Sequence, residues 1–236
     1  MSPQTARAEV LARIRSALRR DDAPAGSASA EPSGPAGTSA AASAAAAQVG
    51  PAPADPGPHP DGDALIELLT DRLLDYDASV SLLTAAEVPA RIAELLTGAR
   101  TIVAPHDLDP AHLAGLTAEV LPDSADAPLD LATLDSVDAV VTVSTAAVAD
   151  TGTIVLSGPQ CGRRAITLVP DHHVCLVRTA DIVNRVPAAV EIIEERGLVE
   201  HPQTWVSGPS ATSDIELERV AGVHGPRTLD VILVTG

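Results

Sequence analysis

With 236 residues and a net charge of −17, the chain can bury one ordinary core but lacks the basic face that nucleic acid requires. Phe is absent and aromatic residues make up only 1%, so a base-stacking platform is missing as well. All 15 basic residues are Arg; with no Lys there is no Schiff-base lysine, Walker-type phosphate lysine or pyridoxal-phosphate anchor.

Three segments follow from composition: residues 1–20, 21–62 and 63–236. Residues 5–18 read as an amphipathic helix, with Val10, Leu11, Ile14 and Leu18 on one stripe and most of the Arg off it. Five Arg against Glu9 make residues 1–20 basic in an acidic chain. The helix can lie on a membrane, bind a partner, dock on its own acidic body or serve as a tethered arm. Residues 21–62 are dominated by Ala, Pro, Gly and Ser, and Val49 is their one large aliphatic. That composition predicts a disordered linker.

From residue 63 helix and strand patterns alternate. A helix is expected over 64–74 and a strand over 80–83. Thr84 and Glu87 have capping-box spacing, with Pro89 suited to the first turn of a helix that ends near Gly98. A strand over 101–104, a helix over 110–116, a strand over 118–121 and a short helix over 129–134 lead into a buried strand at 139–143. Residues 144–152 read as a turn into a second buried strand at 153–156, with Gly152 supplying positive φ. Strands at 166–169 and 174–177 read as a hairpin. A helix over 188–196 is closed by Gly197, and a strand starts at Trp205. Ser213 and Glu216 form a capping box for a helix ending near Gly222, and residues 229–234 make the last strand. The alternation predicts an α/β domain with a largely parallel sheet.

No stretch of about 18 apolar residues occurs, so no membrane span is expected. The first 20 residues carry charges throughout, unlike a secretory signal. Cys161 and Cys175 are too few for a disulfide scaffold and lack Cys-x-x-Cys spacing, which predicts a reducing, cytoplasmic setting. A self-contained iron–sulfur cluster usually needs four thiolates, so no cofactor and no metal are expected on this chain.

Several loops can carry chemistry. Asp150-Thr151-Gly152-Thr153 matches the aspartic-protease tripeptide, but that enzyme class needs two copies on a mostly β chain. Asp150 can instead accept backbone N–H bonds in a turn. Arg163-Arg164 follows a Gly/Pro loop and suits capture of a carboxylate or phosphate, or simply counters an acidic surface. His172 and His173 are adjacent, so on a strand one is packed and the other faces solvent. Ser207-Gly208-Pro209-Ser210 precedes the Ser213 capping box and offers hydroxyl and N–H donors. His224 lies in a Gly-bracketed turn, where it can titrate near neutrality or simply pack. No complete set of nucleophile, base and orienting group can be named, so catalytic residues stay unassigned.

In this order, ADTGTIVL, an Arg-bearing loop, LVPDHHVCLV, SGPSATSDIE and GVHGPRTLDVIL resemble the lactate-utilisation protein C family, a lactate-utilisation domain family. The resemblance covers roughly residues 64–236. It implies an open mixed sheet flanked by helices, similar to the fold of ribose-phosphate isomerase, glucosamine-phosphate deaminase and the CoA transferases. It also implies a place in a cytoplasmic system that oxidises L-lactate to pyruvate, with iron–sulfur clusters on partner proteins. The catalytic devices of the fold relatives do not carry over: there is no Glu-Asn-Gly tripeptide and no lysine. On this basis Asp150, Thr151, Gly152, Thr153, Arg163, Arg164, His172, Ser207, Gly208, Ser210 and His224 are expected to line one face for a small carboxylate or a partner. Hydroxyls hold the anion, Arg163 or Arg164 pairs with it, and His224 or His172 exchanges a proton. Two other roles remain: an assembly or regulatory subunit with no small-molecule site, and an independent enzyme that binds a small carboxylate or CoA ester.

Overall fold

A computed structural model of the chain describes residues 62–213, 219–221 and 225–236, all within one compact unit, Gly57–Gly236. The basic helix over 5–18 and the linker up to residue 61 lie outside the described residues. So do Asp214, Glu216 and His224.

Six strands form a sheet in which every pairing is parallel. They are β1 (Ser79–Thr84), β2 (Thr101–Pro105), β3 (Glu119–Asp123), β4 (Ala139–Val143), β7 (His172–Arg178) and β12 (Thr228–Thr235), in the spatial order β1-β12-β7-β4-β2-β3. A second sheet, β8-β5-β6-β9, is built from β5 (Ala146–Val148), β6 (Thr153–Ser157), β8 (Ile182–Val183) and β9 (Gln203–Val206). The mixed pairing is confined to this smaller sheet: β5–β8 is parallel, whereas β5–β6 and β6–β9 are antiparallel.

Continuous apolar runs in β4 and β7 arise because the large sheet is covered on both faces. On one face Val141, Val143, Val174, Leu176 and Ile232 pack with Val88, Ile92 and Leu96 of α2 (Val88–Leu95) and the turn after it. On the other, Cys175, Val177, Leu229, Val231 and Leu233 meet Leu69 and Leu73 of α1 (Gly62–Asp75) and Ala147, Ile154 and Leu156 of the small sheet. Leu69 and Leu73 are one helical turn apart, so α1 lays a single stripe on this core. The helix α3 (Leu131–Ser136) starts at Asp130, whose carboxylate accepts the Thr133 N–H at 2.7 Å. The outer face of the small sheet, Ala146, Val148 and Val155, packs on Ala189 and Ile193 of α4 (Val186–Glu195). Among the described residues no helix is long and apolar enough to cross a membrane.

Several local expectations are corrected. Residues 166–169 are not a strand: Arg164–Thr167 is a 3-10 turn that drives Ile166 into a cluster with Val103, Leu134 and Val140. The helix expected over 110–116 is a four-residue 3-10 turn, Pro110–Leu113. Thr84 ends a strand and does not cap α2; its N–H and hydroxyl both donate to Glu87, which is itself the N-cap residue. Ser213 does not open a helix. It lies in β10 (Ala211–Ser213), which pairs antiparallel with β11 (Arg219–Ala221). The stretch 144–152 contains β5, a strand made of the small residues Ala146, Ala147 and Val148.

One polar pair sits inside the core. His173 is 1% exposed, and its Nε2 lies 2.8 Å from Thr142 Oγ1. Burial, with a smaller contribution from His172, lowers its pKa to about 4. The native state therefore holds His173 neutral, whereas an unfolded histidine binds a proton below about 6.5. The stability contributed by this burial is complete above pH 6.5 and is lost as pH falls towards 4. Urea unfolding of His173→Gln should show a flatter stability profile than the native chain between those pH values. Identical profiles would show that another group carries the dependence.

Candidate functional site

Because all six strands are parallel, their C-terminal ends share one edge, where open α/β sheets place ligands. Two adjoining hollows of about 610 and 490 Å³ open there and share Asp107, Gln160, Arg178 and Arg196. The chain builds this cleft by leaving the large sheet at the end of β4. The Ser144 N–H still donates to Leu176 O at 2.8 Å, extending the ladder by one rung. The Thr145 N–H then donates to Val155 O in the small sheet. The Thr145 hydroxyl donates to Ser157 O at 2.6 Å and accepts from the Ser157 N–H at 3.2 Å, tying the end of β6 to the same wall.

Asp181, only 5% exposed, carries the charge balance. Arg178, the last residue of β7, donates from Nε to Asp181 Oδ2 at 2.7 Å. Arg196, just past α4, donates from Nη2 to Asp181 Oδ1 and from Nη1 to Thr145 O at 2.7 Å. One buried carboxylate thus holds two guanidiniums, leaving one positive charge in excess. The hydroxyl oxygens of Ser144 and Ser157 are buried in the same wall without a hydrogen-bond partner among the described residues. Cys161 also lines it, with Sγ 2.9 Å from Val143 O and 3.1 Å from Ser157 O. Burial pushes its thiol pKa up, so it is a hydrogen-bond donor and not a nucleophile. The arrangement can bind and orient an anion. No group of three or more His, Cys, Asp or Glu among the described residues could hold a metal.

The residues singled out from sequence fall in three separate places. Thr151, Thr153 and Ser207 form a hydroxyl chain with two 2.8 Å links, at the end of β6 away from the cleft. Thr153 opens β6 and Ser157 closes it, about 13 Å further on. Here α1 covers the turn: Arg72 Nε donates to Asp150 O at 3.2 Å, and a Cβ on Gly152 would lie 2.7 Å from the Arg72 Cβ. The Asp150 side chain is exposed, and Gly208 is packed in the same way against Tyr76.

Arg163 occupies a second place, engaged with Asp123 at the end of β3. Its Nε and Nη2 donate to the two carboxylate oxygens at 2.9 and 2.5 Å, and Nη2 also reaches Leu129 O at 3.1 Å. The Asp123 hydrogen bonds hold the guanidinium firmly charged. This arginine is therefore an anchor for the Gly/Pro loop, while Arg164 is exposed. The third place is the N-terminal edge of the large sheet, where His172 Nε2 lies 2.6 Å from Asp230 Oδ2. The Ser210 N–H donates to Pro226 O. His172 and Asp123 are three strands and three register positions apart, about 17 Å. The single face expected from these loops is thus divided, with His224 outside the described residues.

The cleft residues Ser144, Ser157, Arg178, Asp181 and Arg196 carry no short motif. Their one signal in the sequence is position, since Ser144, Ser157 and Arg178 stand at or just past the ends of buried strands.

Comparison with known proteins covers this whole region. A family model described as LUD domain matches residues 82–234. A Deinococcus radiodurans protein named Lactate utilization protein C is 45% identical over 171 residues, which is 72% of this chain and 79% of that one. A Geobacillus kaustophilus protein of the same name is 36% identical over 91 residues, 37% of this chain and 38% of that one. The crystal structure of a DUF162 family protein from Deinococcus radiodurans superposes with a TM-score of 0.62 at 36% identity. It covers 75% of this chain and 99% of its own.

Proposed function

Since the chain belongs to the LUD domain family, we propose that it serves lactate utilisation as the non-redox component of a cytoplasmic system oxidising L-lactate to pyruvate. The observation that carries this reading is the 45% identity to a protein named Lactate utilization protein C across 72% of the chain. Oxidation of lactate to pyruvate releases two electrons and two protons, so the system must contain an electron acceptor. The cysteines of this chain are poorly suited to ligating one of the iron–sulfur type. Its two cysteines are both buried, and burial pushes the Cys175 thiol up to about 12 and raises that of Cys161. An iron–sulfur cluster takes several thiolates close together. In this reading the iron–sulfur clusters belong to partner proteins, and this chain contributes binding and positioning.

Genetic removal tests this. A strain lacking the chain should fail to grow on L-lactate, grow normally on pyruvate, and recover when the gene is restored. Undiminished growth on L-lactate would overturn the assignment.

A further inference from the structure

The two buried hydroxyls at the C-terminal edge of the large sheet have no role in holding the fold. Ser144 and Ser157 are 3% and 4% exposed, and both hydroxyl oxygens lack a partner among the described residues. A buried polar group left unpaired costs about 1–3 kcal/mol, and two in one wall of a cleft call for a common acceptor. Backbone bonds already fix both residues: the Ser144 N–H is in the β4–β7 ladder, and Ser157 is tied through its N–H and carbonyl to Thr145. The wall is therefore pre-formed around the two hydroxyls.

We propose that this cleft binds a small monocarboxylate, held by the Ser144 and Ser157 hydroxyls and paired with the Arg178 guanidinium. Charge sets the class. Asp181 neutralises one of the two guanidiniums that grip it and Asp107 on the shared rim offsets the other, so the lining is close to neutral and suits a singly charged ligand better than a dianion. Arg178 is the freer of the two: Arg196 spends two nitrogens on Thr145 O and Asp181, whereas Arg178 spends only Nε. No described residue accepts from the Arg178 terminal nitrogens, and its side chain is 54% exposed at the cleft. Those two nitrogens suit a planar two-oxygen acceptor. Asp107, exposed on the rim of both hollows, adds a negative charge that disfavours dianions such as phosphate. The site stands on this geometry alone and does not require the lactate assignment.

The test is calorimetric or NMR titration of the full chain with acetate, L-lactate, pyruvate and inorganic phosphate, each against sodium chloride at equal ionic strength. Saturable binding of at least one monocarboxylate is expected, stronger than that of phosphate. Arg178→Gln should weaken it roughly tenfold or more, the loss typical of a charged hydrogen bond. Ser144→Ala with Ser157→Ala should also weaken it; because Arg178 is half exposed, Arg178→Gln decides the matter if that pair fails to fold. No saturable binding, tighter binding of phosphate, or unchanged carboxylate affinity in folded Arg178→Gln would overturn the proposal.

Discussion

Arg163→Ala should remove about 3 kcal/mol of stability, read as a lower urea midpoint with an unchanged slope. The Asp123 side chain is fully buried, and both of its oxygens accept from Arg163. Oδ1 takes a further bond from the Leu129 N–H at 3.0 Å, which alone cannot balance a buried negative charge. Removing the guanidinium thus leaves an uncompensated carboxylate, which costs far more than the pair itself contributes. Arg163 is 30% exposed, so water enters part of the gap and the expected loss lies at the low end for a buried pair. Arg164→Ala is the control. That side chain is exposed, and its loss should change stability by less than about 0.5 kcal/mol. A double change, Arg163→Ala with Asp123→Ala, should recover part of the loss. If Arg163→Ala unfolded like Arg164→Ala, the loop would not be anchored by this pair.

The second large effect is expected at Gly208→Ala, again about 3 kcal/mol. Gly208 has φ +84°, where an L side chain is strained by about 1–2 kcal/mol. A Cβ there would also lie 2.4 Å from the Tyr76 Cβ and 3.0 Å from Tyr76 O. Those atoms belong to the chain turning out of α1, so they cannot rotate away and the backbone must separate. Gly98→Ala isolates the first contribution. Gly98 has φ +88° and nothing within 4 Å of its added Cβ, so it should lose only about 1 kcal/mol. Equal losses at the two glycines would show that α1 does not press on the Gly208 loop.

Strand and helix patterning made the large sheet legible. The runs at 139–143 and 174–177 are apolar without alternation because both faces of the sheet are covered. The strand β5 was not legible: Ala146, Ala147 and Val148 look like turn residues, yet their small size lets the outer sheet pack against α4. Residues 166–169 carry strand-like side chains, but the loop held by Arg163 curls Ile166 and Thr167 into the 3-10 turn Arg164–Thr167. Ser213 has cap chemistry and pairs as a strand instead, since local capping is weaker than a partner strand at Arg219–Ala221.

The site divided in the same way. Motif-like stretches at Asp150–Thr153 and Ser207–Gly208 earn their small residues by packing against α1. The cleft, by contrast, is assembled from the ends of β4, β6 and β7 and from Arg196, which bonds to Thr145 51 positions away. No local pattern marks such a set; only the topology brings it together. The His172–His173 pair was readable in part: alternation along a strand puts one ring in the core, but His172, expected to face solvent, is part-buried against Asp230.

The most direct measurement is purification of the tagged full chain from lactate-grown cells, with iron content and L-lactate oxidation assayed on the eluate. Iron-bearing partners and L-lactate oxidation should co-elute, and both should be missing from the chain purified alone. A solitary, iron-free chain that oxidises L-lactate by itself, or one that elutes without partners from cells growing on lactate, would contradict the role of a non-redox component.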